Sequence, residues 1–67
     1  MDKTTAKILE SVYGKYSSMK EYIYPEEMAV RDKKAAEELE RHGIVRIVRK
    51  FDERLNLTFC RVLPNEL

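Results

Sequence analysis

Two groups of side chains in this chain have the types and spacing to meet an anionic surface. The first is Lys33, Lys34, Glu37 and Arg41, and the second is Arg49, Lys50 and Arg54. At roughly 100° per residue, a helix with Leu39 at the centre of its buried face holds Ala35, Ala36 and His42 within about 60° of it. Lys33, Lys34, Glu37 and Arg41 then share the opposite face. All four are long enough to reach phosphates or base edges. Arg49, Lys50 and Arg54 crowd the tip of a predicted hairpin. A second reading stands beside each group. Lys33–Glu37, Lys34–Glu38 and Glu37–Arg41 are i, i+4 pairs, as on a solvated, self-paired helix face. Lys and Arg on a strand also block edge-to-edge aggregation.

Other chemistry lacks its residues. Cys60 is the only cysteine and His42 the only histidine, which rules out an intrachain disulfide and a Cys-rich zinc site and leaves no histidine cluster for a metal. Cys60 reads as a small half-buried hydrophobe and His42 as a structural residue near a helix C-terminus. A Cys60–His42 nucleophile pair would need an orienting group and an oxyanion site, and no residue supplies either. Gly14 and Gly43 are the only glycines, so there is no glycine-rich phosphate loop. No enzyme signature, cofactor motif or small-molecule substrate site is evident.

The chain that positions these residues has 67 residues, 43% hydrophobic and 37% charged, with a net charge of +1. That is enough apolar material for one small core and fits a single domain over 1–67. The near balance of charge argues against coating nucleic acid by charge alone. Its distribution is uneven, however. Residues 1–30 carry four basic and five acidic side chains, whereas 44–63 carry Arg46, Arg49, Lys50, Arg54 and Arg61 against Asp52 and Glu53. High charge density with few Asn and Gln fits a thermophile. No apolar run approaches the roughly 18 residues of a membrane span, and 1–7 lacks a secretion signal, so the expected location is cytoplasmic.

Periodicity divides the chain. Ile8, Leu9, Val12, Tyr13 and Tyr16 mark the core face of a first helix. Ser18-Met19-Lys20-Glu21 has capping-box spacing, which predicts a short helical turn. Tyr22-Ile23-Tyr24 is strand-like, and Pro25-Glu26-Glu27 suits a helix start, giving a helix over Pro25 to about Val30. Asp32 to His42 is the strongest helix, with Asp32 as N-cap and Gly43 as the left-handed terminator. An unbroken helix over 25–42 is the alternative. Beyond Gly43 the period becomes two. Residues 44–63 read as an antiparallel hairpin, with Asp52-Glu53-Arg54 as connector and Pro64 closing the second strand. Leu39, Ile47, Leu57 and Phe59 are the expected core. Tyr22, Ile23 and Tyr24 cannot all point inward, which leaves a candidate dimer or partner surface; a loop packed over the core is the other reading.

Ala35-Ala36-Glu37-Glu38-Leu39-Glu40-Arg41-His42-Gly43-Ile44-Val45, followed by the hairpin, resembles the recognition helix and first wing strand of the winged helix-turn-helix superfamily. The resemblance implies an α+β fold, a small winged helix of about three helices followed by a two-stranded antiparallel β-hairpin. The third helix would lie in the DNA major groove and the wing along the backbone or minor groove. This chain departs from the pattern in its short second helix, in Val30-Arg31-Asp32 where a small-Gly turn is usual, and in Glu37, Glu38 and Glu40 on the recognition helix.

The functional expectation is therefore a small protein that binds double-stranded DNA, a transcriptional regulator or chromatin accessory protein and a possible homodimer. Lys33, Lys34, Glu37, Arg41, Arg49, Lys50 and Arg54 are its DNA-facing residues. The alternative is a winged-helix protein-interaction module in a replication, transcription or ribosomal assembly, which the acidic residues and the small net charge favour.

Overall fold

The computed structural model describes residues 2–65. Helix α1, Lys3–Tyr13, buries Ile8 and Val12. It stops at Gly14, where an added Cβ would run into the Glu10 carbonyl. Tyr16 therefore lies beyond the helix and is 87% exposed, a correction to its expected place on the core face. The expected helical turn at Ser18–Glu21 is also absent. Lys20 takes a left-handed φ of 54° there, and its N–H reaches Ser17 Oγ at 3.3 Å.

Strand β1, Tyr22–Pro25, pairs antiparallel with a strand far down the chain, setting Tyr22 beside Val62 and Tyr24 beside Cys60. This pairing overturns the predicted helix at Pro25. The strand continues as Glu26 N–H donates to the Thr58 carbonyl at 2.8 Å. Proline is tolerated at the outer edge because its missing N–H would have faced solvent. A turn closed by the Met28 and Ala29 N–H groups on the Pro25 carbonyl then leads into α2.

Helix α2 is Val30–Arg41 and buries Ala35, Ala36 and Leu39. It starts two residues ahead of the expected cap, so neither reading of 25–42 holds. Asp32 sits in the first turn and pairs with Lys7 at 3.7 Å. The C-terminus follows its sequence signal. Gly43 adopts φ 73°, Gly43 N–H bonds the Glu40 carbonyl and Ile44 N–H bonds the Leu39 carbonyl. That bond pair is a Schellman motif, which needs a left-handed residue at this place.

Strands β2, Val45–Asp52, and β3, Leu57–Pro64, form the hairpin. The connector is longer than Asp52-Glu53-Arg54. Asp52 Oδ1 accepts from Leu55 N–H at 3.0 Å, and Asn56 takes φ 54° to close the turn. The whole is α+β, with two helices and a three-stranded antiparallel sheet in the order β1-β3-β2. This corrects the expected three helices and two strands, because the segment after α1 joins the sheet.

The helices cover one face of the sheet. Tyr24, Val45, Cys60 and Val62 point into the core between them, with Ile47 packed at its margin. The expected inward phase of β3 was the opposite one. Leu57 and Phe59 lie on the uncovered face and are half-buried. The register explains the choice. Tyr24, among the largest buried side chains, stands opposite Cys60, and a small residue leaves it room. Among the described residues, no helix is long and apolar enough to cross a membrane.

Candidate nucleic-acid interface

Helix α2 and strand β2 lie against each other and run in opposite directions. Ile47 N–H donates to Glu40 Oε2 at 3.3 Å, and Arg49 donates to Glu37 Oε2 at 3.3 Å. Moving up β2 toward the hairpin tip therefore means moving back along α2 toward its first turn. Arg31, Lys33 and Lys34 thus come to the same end of the molecule as the turn at 53–56 with Arg54.

The expected residues divide into three sets. Lys34 and Arg54 are exposed and Lys33 is half-buried; none of the three makes an ion pair among the described residues. Lys34 and Arg31 line a shallow groove of about 400 Å3 with Asp2, Thr5 and Glu38. Arg31 was missed by sequence reasoning, because a helix starting at Asp32 leaves it outside.

The second set is engaged within the protein. Arg49 lies on the helix-facing side of the sheet, donating to Glu26 Oε2 at 2.8 Å as well as to Glu37. This hydrogen bond holds the Glu26 carboxyl below its ordinary range and raises Arg49. Arg41 is paired with Glu38 one turn back. Glu37, Arg41 and Arg49 thus spend their charge locally, but with other partners than expected: none of the i, i+4 pairs Lys33–Glu37, Lys34–Glu38 and Glu37–Arg41 is present among the described residues. Lys50 makes up the third set. It is exposed on the uncovered side of the sheet, beside Phe59.

Of the candidate partner surface, Tyr24 is 1% exposed and belongs to the core. Tyr22 is half-buried under Lys7, whose Nζ lies 5.4 Å from the ring centroid. Ile23, 48% exposed, is the open member.

Glu26 and Glu27 were also missed as structural acceptors. Glu27 takes the Thr58 N–H with both oxygens, at 2.9 and 3.1 Å, continuing the β1–β3 ladder with a side chain. That bond holds the Glu27 carboxyl low. Cys60 is fully buried, its thiol pushed up by burial and 3.6 Å from Glu26 Oε2, an environment that suppresses thiolate. His42 caps α2, with Nδ1 2.9 Å from the Glu38 carbonyl. Among the described residues, no group of three or more His, Cys, Asp or Glu could hold a metal ion.

The chain matches no family model, no curated protein and no solved structure.

Proposed function

We propose that the chain is a winged-helix-like protein that binds double-stranded DNA, as a transcriptional regulator or chromatin accessory protein. Helix α2 is offered to the groove by its first turns, and the β2–β3 hairpin serves as the wing. The observation that carries this reading is the antiparallel run of α2 and β2, which gathers Arg31, Lys33, Lys34 and Arg54 at one end. Recognition helices of this class read DNA with their N-terminal residues. The N-cap Ala29 makes no side-chain capping bond, so the first-turn N–H groups and the positive end of the helix dipole add to the cationic side chains. In this reading the turn at 26–28 replaces the second helix of the winged helix-turn-helix pattern.

Four phosphate contacts give a slope of log affinity against log salt of about −3.6, at roughly −0.9 per contact. Titration of a fluorescent duplex at two salt concentrations tests this. Lys34→Ala and Arg54→Ala should each reduce the slope by about one.

A protein-interaction module is the second reading. It is favoured by the composition of α2, whose four basic and four acidic side chains cancel, and by the ion pairs Arg41–Glu38 and Arg49–Glu37, which take two of the expected DNA-facing cations. Undetectable duplex binding at low salt supports it over the first.

A further inference from the structure

The uncovered face of the sheet has no part in duplex binding as proposed above, and its chemistry is different. Residues directly opposite one another on neighbouring strands share a face. The register therefore lays out two rows on this side: Ile23, Arg61 and Val48, then Pro25, Phe59 and Lys50, with Leu63 beside Arg46 at one end and Leu57 beside Asp52 at the other. Ile23 is 48% exposed. Ile23, Phe51, Phe59, Lys50, Asp52 and Arg61 line a concavity of about 260 Å3. Phe51 borders this hollow from the edge strand, but its register partner Thr58 puts its ring on the helix-facing side, so Phe59 is the aromatic ring of this face, with Lys50 directly beside it.

We propose that this face binds single-stranded nucleic acid, stacking a base on Phe59 and holding the backbone with Lys50 and Arg46. Three features select that occupant. Any base offers a π-face to an aromatic ring, so stacking needs no particular sequence. Lys50 and Arg46 are exposed and make no ion pair among the described residues, which leaves them free for phosphate. They stand four residues apart on one strand, about 13 Å at 3.3 Å per residue, and so offer two separate backbone contacts. Arg61 is neutralised by Glu21 at 2.6 Å; Asp52, whose Oδ1 accepts from the Leu55 N–H, keeps its negative charge at the hairpin end of the hollow, which leaves Lys50 and Arg46 a net positive surplus of one on this face. A second copy of the chain would bring Lys50 and Arg46 against the same cations, which opposes face-to-face pairing. The site lies across the sheet from α2, and the proposal does not rest on duplex binding.

The test is fluorescence anisotropy with a labelled oligothymidylate and a labelled duplex of equal length, at low salt, using the whole chain. Wild type should bind the single strand. Phe59→Ala should weaken that binding about 5- to 100-fold, the usual range for one lost base stack, and leave duplex affinity unchanged. Phe59→Tyr keeps a stacking ring and should retain single-strand binding, which separates stacking from a folding defect. Arg46→Ala should reduce the single-strand salt slope by about 0.7. Absence of single-strand binding would overturn the proposal. So would equal binding by Phe59→Ala in a folded protein, or equally effective competition by polyglutamate, which would mark a face that reads charge alone.

Discussion

Arg49 on β2 and Glu26, just past β1, meet at 2.8 Å although 23 residues separate them in the chain. With Glu37 3.3 Å from the same guanidinium, the pair joins both ends of the sheet segment to α2. One of the three side chains expected as wing cations is thus a structural tie.

The tie gives stability a pH dependence. Arg49 holds the folded-state carboxyl of Glu26 below its ordinary value of 4.5. A depressed folded pKa contributes stability that is present above the unfolded value and lost as pH falls through the folded one. Urea midpoints should therefore decline below about pH 4.5, and Arg49→Met should flatten that decline. At neutral pH the same variant should cost about 1 kcal/mol or less, since Arg49 is 41% exposed and partly screened. An unchanged acid limb in Arg49→Met would remove the tie from the account.

The phase of β3 can be checked by truncation. Val62 is fully buried and Leu57 only half so. Val62→Ala should cost about 2 kcal/mol, from two buried methyl groups and the cavity they leave. Leu57→Ala should cost less, despite removing more atoms. Leu39→Ala, at a site 6% exposed, should cost about 2–5 kcal/mol. The reverse order for Val62 and Leu57 in denaturant melts would place the other face inward.

Tyr24 carries a buried hydroxyl with no partner of ordinary hydrogen-bond geometry, only the weakly polar Cys60 thiol beside it, and burial pushes its ionisation well above the ordinary tyrosine value. An unpaired buried hydroxyl costs free energy, so Tyr24→Phe should be neutral or stabilising by up to about 1 kcal/mol. Alkaline titration of wild type should show one tyrosine that ionises only on unfolding. A marked loss of stability in Tyr24→Phe would show that the hydroxyl has an unrecognised partner.

Cys60 should resist alkylation in the folded state. Burial disfavours its thiolate, which is the reactive form. Iodoacetamide should modify it at the rate of unfolding, rising with urea in step with the loss of structure. Rapid labelling under native conditions would contradict the packing described for β3.

The parts of this fold that were legible in the sequence are those set by neighbours in the chain. Helix α1 has its 3.6-residue stripe at Ile8 and Val12, α2 has Ala35, Ala36 and Leu39 ending at Gly43, and the hairpin has its change of period. What the sequence hid depends on partners far away. Pro25 looks like a helix start until Tyr22–Pro25 finds β3, and Glu26 and Glu27 look like helix-terminal charges until Arg49 and Thr58 reach them. The phase of β3 was ambiguous because both of its faces are apolar, Leu57, Phe59 and Leu63 on one and Cys60 and Val62 on the other. Local spacing was a weaker guide at the candidate site. Lys34 stays open although its spacing to Glu38 suits a pair, while Arg49 and Glu37 are drawn together by the α2–β2 packing, which no local pattern displays.

The central claim, that the first turns of α2 and the hairpin tip together bind duplex DNA, is tested most directly by one titration of a labelled duplex across salt concentrations. The account predicts binding at low salt with a slope of log affinity against log salt near −3.6, falling to about −1.8 in the double variant Lys34→Ala/Arg54→Ala. No binding at low salt, or a slope the double variant leaves unchanged, would contradict it.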